Sequence, residues 1–486
     1  MPKVNWTLDN LDEILSADFT PQQSAPVKTL FFMRLAEQAH RFYGGKMQTV
    51  PKAGVFGFNW FNVWYTPGVS KISTTIRDNN DESFELSNRG NLVAVVSDSS
   101  RVLGDGDCTP PGGLGVMEGK AFLMKYLGGI DATALCIDSR DEKGNHRPEK
   151  IIDFVKMVEP SFGAVNLEDI SQPNCYEVLD ALREECHIPV WHDDAQGTAC
   201  VTLAGLINAL KLADKNIGEV KIVLLGAGAS NTTIARFVEL AGGNLQNMVV
   251  FDSRGALHRD RKDIERDPRH YKKWELCLKT NPQRVCDIEE AMRGADVLIA
   301  LSTPGPDVVK PDWIKLMADK PIVFACANPI PEIYPYAARE AGAFIVATGR
   351  GDFPNQVNNS LGFPGILKGA LLVRAKKISD GMAIAASYSL ANYAEKRGIH
   401  PDNILPTMDE VGVFPQEARD VAQEAIRENL ARVKISGEEA FSRAERDIKY
   451  ARELVEVMMS EGFIPPPPES LLQDALDWAM QQICKE

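Results

Sequence analysis

Short runs of apolar residues alternate with amphipathic stretches through most of the chain. Four runs lie at residues 92–96, 132–137, 164–167 and 188–191, and five more lie at 220–225, 248–251, 297–301, 322–325 and 343–347. Apolar strands separated by helical segments are typical of parallel sheets that helices cover on both faces. The pattern therefore predicts an α/β protein with two doubly wound parallel-sheet domains, the second of which is a Rossmann-type nucleotide-binding domain.

Helical periodicity marks both ends of the chain. Residues 27–43 carry apolar side chains at three- and four-residue spacings, and the pattern is helical again after Gly365, except for a polar hinge at 398–403 and a stiff proline spacer at 465–468. In residues 470–484, one face carries Leu472, Leu476, Ala479, Met480 and Ile483. The favoured interpretation is that this face packs within its own subunit, and contact with a partner is the alternative.

The patterns also predict domain boundaries. Residues 1–195 form a helical lead-in and a catalytic, metal-binding domain, which residues 360–420 complete. Residues 196–359 form the nucleotide-binding domain, and residues 421–486 form a helical C-terminal region.

Composition narrows the class of function. The 486 residues are 44% hydrophobic and 25% charged, as expected of a soluble globular protein with two or three domains. The net charge of -14 argues against nucleic acid and anionic membranes as partners, since both attract clustered Lys and Arg. An acidic protein that handles an anionic metabolite needs local positive charge from a metal, arginine or helix N-termini.

The cysteines and the N-terminus predict a cytoplasmic protein. Nine scattered cysteines include no C-x-x-C pair, which favours reduced thiols. Residues 1–20 lack the basic start and the apolar core of a signal peptide. No apolar run approaches the roughly 20 residues that a transmembrane helix needs.

A glycine-rich turn predicts a dinucleotide site. In KIVLLGAGASNTTIARF an apolar strand ends at Gly226 and Gly228 and a helix follows, so a pyrophosphate can approach the backbone at the helix N-terminus. Asn231 stands where the strict motif has a third glycine, and a tight turn without a ligand is the alternative. Asp252 ends the next strand, where an acid can hold ribose hydroxyls.

Cofactor choice stays open on these residues. An acid alone favours NAD, but Arg254, His258, Arg259 and Arg261 follow closely and are suited to a 2′-phosphate. The predicted cofactor contacts are Gly226, Gly228, Ser230, Asn231, Asp252, Ser253, Arg254 and Asn328.

Two acidic pairs each follow an apolar strand. They are Glu168-Asp169 in AVNLEDIS and Asp193-Asp194 in PVWHDDAQGTA. Carboxylates at the carboxyl ends of parallel strands face the crevice where such sheets bind ligands, and their oxygens suit Mg²⁺ or Mn²⁺. The alternative is that Asp194 caps the next helix and Glu168 is solvated. The presence of both pairs favours the metal.

Lys120 and Tyr65 are candidates for proton transfer. Lys120, in GGLGVMEGKAF, lies between a glycine-rich loop and an apolar helix, where burial would lower its pKa toward that of a base. The alternatives are a solvated helix lysine and, for Tyr65 in WYTPGVS, a packed aromatic ring with a satisfied hydroxyl.

Seven motifs in order resemble those of malic enzymes, especially the compact bacterial type. They span residues 65–370 and are YTPGV, MEGKA, NLEDI, HDDAQGTA, GAGAS, ANPIPEI and GDFPNQVNNSLGFPGILKGA. The resemblance implies oxidative decarboxylation of L-malate to pyruvate and CO₂ with NAD or NADP and a divalent metal. It also implies a homodimer, in which members of the family can share site residues. A malolactic-type enzyme that makes lactate is an alternative, as is a non-catalytic metabolite-binding relative.

The resemblance also implies residue roles. Glu168, Asp169 and Asp194 would bind the metal, Lys120 would be the general base, and Tyr65 the general acid. Asp193 would orient and tune Lys120. Arg101, Asn328 and Asn359 would bind the substrate. Two departures from the family pattern are Asn231 and the loop at residues 104–113.

Overall fold

The structure is a computed structural model that describes residues 3–102 and 105–483. Two compact units share the chain: one comprises Met1–Val50 with Arg452–Glu486, and the other comprises Pro51–Ala451. Among the described residues, no helix combines the length and apolar character that a membrane crossing requires. The eight described cysteines are free thiols, and Cys484 lies outside the described residues.

The helices and strands of the first half begin with α1 (Leu11–Asp18), α2 (Pro21–Tyr43), α3 (Trp60–Trp64), α4 (Gly68–Asp78) and α5 (Ser83–Leu86). There follow β1 (Leu92–Ser97), α6 (Leu114–Gly128), β2 (Asp131–Cys136), α7 (Pro148–Val158), β3 (Ala164–Leu167), α8 (Asn174–Glu185), β4 (Val190–His192) and α9 (Thr198–Ala213).

The second half contains β5 (Ile222–Leu225), α10 (Ala229–Leu240), β6 (Met248–Asp252), β7 (Gly255–Ala256), α11 (Lys262–Glu265), α12 (Tyr271–Lys279), α13 (Ile288–Met292) and β8 (Val297–Ala300). Next come α14 (Pro311–Ile314), β9 (Ile322–Ala325), α15 (Pro335–Glu340), β10 (Ile345–Thr348), α16 (Phe363–Leu372), α17 (Asp380–Arg397), α18 (Val413–Arg427), α19 (Gly437–Ser460) and α20 (Glu469–Ile483).

Two sheets confirm the predicted α/β architecture. The first has the strand order β2-β1-β3-β4 and is wholly parallel. The second has the order β10-β9-β8-β5-β6-β7, in which only β7 is antiparallel. All nine predicted strands are present. The tenth strand, β7, was not predicted because a strand of two residues is too short to show a periodic apolar pattern. The predicted domain boundaries stay a prediction.

The terminal unit is held together by α1, α2 and α20. Leu472, Leu476 and Ala479 of α20 are buried in a cluster with Leu15 and Phe31. This confirms that the apolar face of the last helix packs within its own subunit.

Glu417 on α18 is a buried carboxyl group in the larger unit. Neither of its oxygens has a hydrogen-bond partner among the described residues, and a methyl group at Gly365 of α16 would lie 2.0 Å from Glu417 Oε2. Burial raises the pKa of Glu417 well above its ordinary value of 4.5, and the charge of Asp420 adds to the rise. The folded protein therefore holds the Glu417 proton to a higher pH than an exposed carboxyl group does.

This burial predicts a pH-dependent cost to stability. The unfolded chain releases the Glu417 proton above pH 4.5, whereas the folded chain keeps it up to its raised pKa. Between those two values the free energy of unfolding therefore falls as pH rises, by up to about 1.4 kcal/mol per pH unit. Glu417→Gln should remove this slope in urea unfolding from pH 5 to 8, with exposed Glu438→Gln as the control. An unchanged slope would contradict the assignment.

Candidate active site

The two acidic pairs meet at the carboxyl edge of the first sheet. Glu168-Asp169 directly follows β3, and Asp193-Asp194 directly follows the neighbouring strand β4. The backbone N–H of Asp169 donates to Asp194 Oδ2 at 2.7 Å, and the N–H of Arg101 donates to the Asp169 carbonyl at 3.0 Å. The structure thus joins the predicted metal ligands to the loop that carries the exposed side chain of Arg101.

Lys120 extends from α6 into this cluster. Its Nζ lies 2.5 Å from Asp193 Oδ2 and 3.0 Å from Glu168 Oε1, and its side chain is only 11% exposed. The ring centre of Phe363, the first residue of α16, lies 4.8 Å from the same nitrogen. The cluster therefore places a buried ammonium group between two carboxylates and against an aromatic face.

Two polar side chains that the sequence analysis missed orient the carboxylates. Asn166 Nδ2 donates to Glu168 Oε1 at 2.7 Å, and Trp191 Nε1 donates to Asp193 Oδ1 at 3.0 Å. Each donor lies two residues before its acceptor, and side chains at that spacing share a face of a strand. The two-residue spacing could therefore have predicted both hydrogen bonds from the sequence.

The electrostatics of Lys120 differ from the sequence-based expectation. Burial lowers the pKa of Lys120, but the charges of Asp193, Glu168 and Asp194 outweigh it, so the pKa is raised. The prediction that the pKa of Lys120 falls toward neutrality is therefore wrong. Burial raises the pKa of Asp193 and of Glu168, and the charge of Lys120 opposes both shifts.

The acidic cluster suits a divalent cation by its chemistry. Glu168 and Asp169 are almost fully buried, and the Asp194 side chain is 35% exposed. Mutual repulsion contributes to the raised pKa of Glu168, and positive charge would relieve it. Across residues 3–102 and 105–483, however, no three His, Cys, Asp or Glu side chains are already arranged for a metal ion. The donor set fits Mg²⁺ or Mn²⁺, but it is not preassembled.

The remaining substrate candidates lie at different distances from Lys120. A methyl group at Gly197 would lie 1.9 Å from Asp193 Oδ1 and 3.2 Å from Asn359 Cβ, which places Asn359 beside the cluster. Asn328 is exposed, three residues beyond β9 in the second sheet. The described residues show no hydrogen bond between Asn328 and the cluster.

Tyr65 lies outside the Lys120 cluster. It is 73% exposed at the end of α3, and its hydroxyl has no hydrogen-bond partner among the described residues. Its neighbours are exposed as well, including Phe56, Phe58, Phe61 and Trp64. A cluster of exposed aromatic side chains is typical of a contact region.

The glycine turn opens the second sheet. Gly226 has a φ of +100°, and a Cβ there would lie 2.3 Å from the Leu301 carbonyl oxygen. A Cβ at Gly228 would meet nothing within 4 Å, so space is open at the N-terminus of α10. Buried Asn231 donates from Nδ2 to the carbonyls of Leu225 and Gly226 at 3.0 and 2.9 Å. The Asn231 side-chain amide therefore stabilises the backbone of the glycine turn.

The two glycines predict separable effects. Gly226→Ala should lower the free energy of unfolding by roughly 3 kcal/mol, because it adds a clash in a backbone conformation that favours glycine. Gly228→Ala should change stability by under about 0.5 kcal/mol, but it should weaken cofactor binding about tenfold or more by filling the pyrophosphate space. Urea unfolding and cofactor titration measure the two effects. Equal stability losses would contradict this distinction.

Asp252 ends β6 and pairs with Arg261. The guanidinium group donates to Oδ1 at 3.0 Å and to Oδ2 at 2.9 Å. Ser253 and Arg254 are exposed beside this pair, whereas Ser230 lies on α10 and donates from Oγ to the Asp194 carbonyl at 2.8 Å. The predicted ribose-binding position therefore holds an acid whose charge Arg261 balances.

The fold and site define a two-domain oxidoreductase with a nucleotide-binding domain. The malic enzyme N-terminal domain matches residues 58–183, and the malic enzyme NAD-binding domain matches residues 195–426. The chain belongs to the malic enzyme family.

Individual relatives agree with this assignment. A crystal structure of Entamoeba histolytica malic enzyme is 60% identical, with a TM-score of 0.98 over 99% of this chain and all of that chain. A bifunctional malic/malolactic enzyme of Bacillus subtilis is 39% identical over 85% of this chain and 98% of its own length. An NAD-dependent malic enzyme of Geobacillus stearothermophilus is 41% identical over 80% of this chain and 78% of its own length.

Proposed function

We propose that this protein converts L-malate to pyruvate and CO₂, with reduction of NAD or NADP and with Mg²⁺ or Mn²⁺ bound at the acidic cluster. The observation that carries the proposal is the buried Lys120 ammonium group, held by Asp193 and Glu168 at the edge of the first sheet. In a malic enzyme family member, this arrangement supports a role for Lys120 in proton transfer and for the neighbouring carboxylates in metal binding.

Glu168, Asp169 and Asp194 would hold the metal ion. When bound, a divalent cation supplies polarisation of the substrate oxygens, and the nicotinamide supplies a hydride acceptor. Arg101 would bind one malate carboxylate, since its guanidinium group is permanently charged and suits bidentate recognition. Asn359 lies beside Asp193, and with Asn328 it would complete the substrate contacts.

Lys120 and Asp193 can exchange a proton over 2.5 Å. Lys120 would act as a base only as the neutral amine. A cation held by Glu168, Asp169 and Asp194 would offset the carboxylate charges that raise the pKa of Lys120, and so would favour that form. The amine can then accept the proton of the malate hydroxyl. Trp191 holds the other oxygen of Asp193 and so fixes the carboxylate during this exchange.

We infer that Tyr65 acts as the general acid in a homodimer, from the neighbouring subunit. Its hydroxyl is exposed and stands outside the cluster of its own chain, among exposed aromatic side chains. A second copy that covers these side chains would bury apolar surface and receive Tyr65 in its own site.

A steady-state assay tests the proposal. Purified full-length protein with L-malate and Mn²⁺ should reduce NAD or NADP, and pyruvate should accumulate with the reduced cofactor. The absence of turnover with both cofactors would overturn the proposal. Lactate without net reduced cofactor would instead identify a malolactic enzyme, the alternative that the Bacillus subtilis relative favours.

Cofactor preference should depend on Arg261. Arg261→Gln leaves the Asp252 charge unbalanced, which disfavours a 2′-phosphate. The ratio of kcat/KM for NAD to that for NADP should rise roughly tenfold, equivalent to about 1.4 kcal/mol. Arg269→Gln, which alters an exposed arginine paired with Asp267, is the matched control. An unchanged ratio would show that Asp252 and Arg261 do not face the ribose.

A further inference from the structure

A cavity lies in the Pro51–Ala451 unit, away from the residues assigned to catalysis. Its volume is about 400 Å³, and its wall includes residues of α5, α6, α16 and α19. A cavity of this size accommodates a small metabolite. None of its lining residues belongs to the acidic cluster or to the glycine turn.

The cavity carries an excess of positive charge. Its five cationic side chains face three carboxylates, those of Glu85, Asp131 and Asp447. The cationic residues are Lys52, Lys125, Lys368, Arg374 and Arg443. In a protein with a net charge of -14, a local excess of two positive charges selects for anions.

The ion pairs around the cavity leave an excess of positive charge in place. Arg374 pairs with Glu85, and Arg443 pairs with Glu439 outside the lining, whereas Asp131 and Asp447 are each shared by two cations. Asp131 is shared by two lysines, with Lys125 Nζ 2.9 Å from Oδ1 and Lys52 Nζ 3.2 Å from Oδ2. Lys368 has a side chain that is 3% exposed, and its Nζ donates to Asp447 Oδ2 at 2.7 Å and to Asn91 Oδ1 at 3.1 Å. Burial lowers the pKa of Lys368, and the charge of Asp447 opposes the shift without cancelling it. A further negative charge would stabilise this ammonium group.

Two helices connect the cavity to Lys120. Lys125 lies five residues after Lys120 on α6, and Lys368 lies five residues after Phe363 on α16. The helices pack closely, since a methyl group at Gly128 of α6 would lie 3.2 Å from the Pro364 carbonyl oxygen of α16. A ligand that draws Lys125 and Lys368 together therefore acts on the two elements that position Lys120 and Phe363.

We propose that this cavity binds a small anion with two or more negative charges, carried by phosphate or carboxylate groups, and that the bound anion changes the affinity for malate through α6 and α16. The link to malate rests on the proposed function, whereas anion binding does not. Guanidinium and ammonium groups recognise both kinds of anion.

The binding test uses calorimetry on the full-length protein in metal-free buffer. Inorganic pyrophosphate and citrate are titrated separately, so the two arms distinguish phosphate from carboxylate ligands. At least one should bind saturably at one site per chain. The double variant Lys52→Gln/Arg443→Gln removes two cavity charges, and its affinity should be roughly tenfold or more weaker, or about 1.4 kcal/mol.

The matched control is Lys315→Gln/Arg427→Gln, which removes two exposed, ion-paired charges elsewhere. Its affinity should equal that of the wild type. Absence of saturable binding in both arms, or equal weakening in both double variants, would overturn the proposal.

The second measurement is the KM for malate with and without the bound anion, at saturating Mn²⁺. The KM should shift at least about twofold in the wild type and in the control variant. The shift should require about tenfold more anion in the cavity variant. Saturable anion binding with an unchanged KM would overturn the connection through α6 and α16.

Discussion

Lys120→Ala should lower kcat by about a thousandfold or more, with NAD or NADP binding retained. The substitution removes the only cation that contacts both Asp193 and Glu168 among the described residues, and with it the group that accepts the malate proton. Stopped-flow and steady-state kinetics measure the rate. Fluorescence titration of the cofactor measures binding at the second sheet.

Loss of a buried cation also destabilises the fold, so a second variant separates the two effects. Removing one partner of a buried ion pair costs about 3–5 kcal/mol. Lys120→Met/Asp193→Asn removes both charges of the closest pair and should fold better than the single variant, yet it should remain inactive. Lys156→Ala, an exposed and ion-paired lysine, is the control that should keep wild-type turnover. Appreciable turnover in the folded double variant would refute Lys120 as the base.

Tyr65→Phe should lower kcat by roughly a hundredfold or more, because it removes the hydroxyl that donates the final proton. Thermal stability should be unchanged, since the hydroxyl is exposed and makes no hydrogen bond within the described chain. Tyr388→Phe alters another exposed tyrosine and serves as the control. Wild-type turnover in Tyr65→Phe would remove Tyr65 from the mechanism.

Co-expression of the two inactive variants decides which subunit supplies Tyr65. If each site combines Lys120 of one subunit with Tyr65 of the other, a dimer of Lys120→Ala and Tyr65→Phe chains contains one intact site. Random pairing then restores about a quarter of wild-type activity. If both residues act within one chain, no intact site forms, and the mixture stays inactive.

Much of the fold followed from local sequence pattern. Apolar runs at 92–96 and 164–167 became adjacent parallel strands, because a continuous apolar run has one stable environment in a helix-covered sheet. The same logic placed Glu168 and Asp193 together, since the carboxyl ends of neighbouring parallel strands share an edge. The role of Lys120 could not be predicted from the apolar pattern alone, and it was inferred from the resemblance to a family.

Other features depended on contacts between distant parts of the chain. Phe363 contacts Lys120 although more than two hundred residues separate them in the sequence, and no local spacing predicts that contact. The raised pKa of Lys120 arises from three carboxylates that follow two neighbouring strands, so reasoning from burial alone predicted the wrong direction of the shift. Tyr65 is a different case, because it lies exposed outside the Lys120 cluster, and its role was inferred from the resemblance to a family alone.

The hydrogen bond from Ser230 Oγ to the Asp194 carbonyl has a thermodynamic consequence. Ser230 stands in the first turn of α10, where the cofactor pyrophosphate would bind, and Asp194 belongs to the acidic cluster. An event that fixes one end of this bond also limits the freedom of the other. Linkage then requires that any effect of the cofactor on metal affinity be matched by an equal effect of the metal on cofactor affinity. Whichever of the two is scarcer in the cell would set how much of the protein is ready for malate.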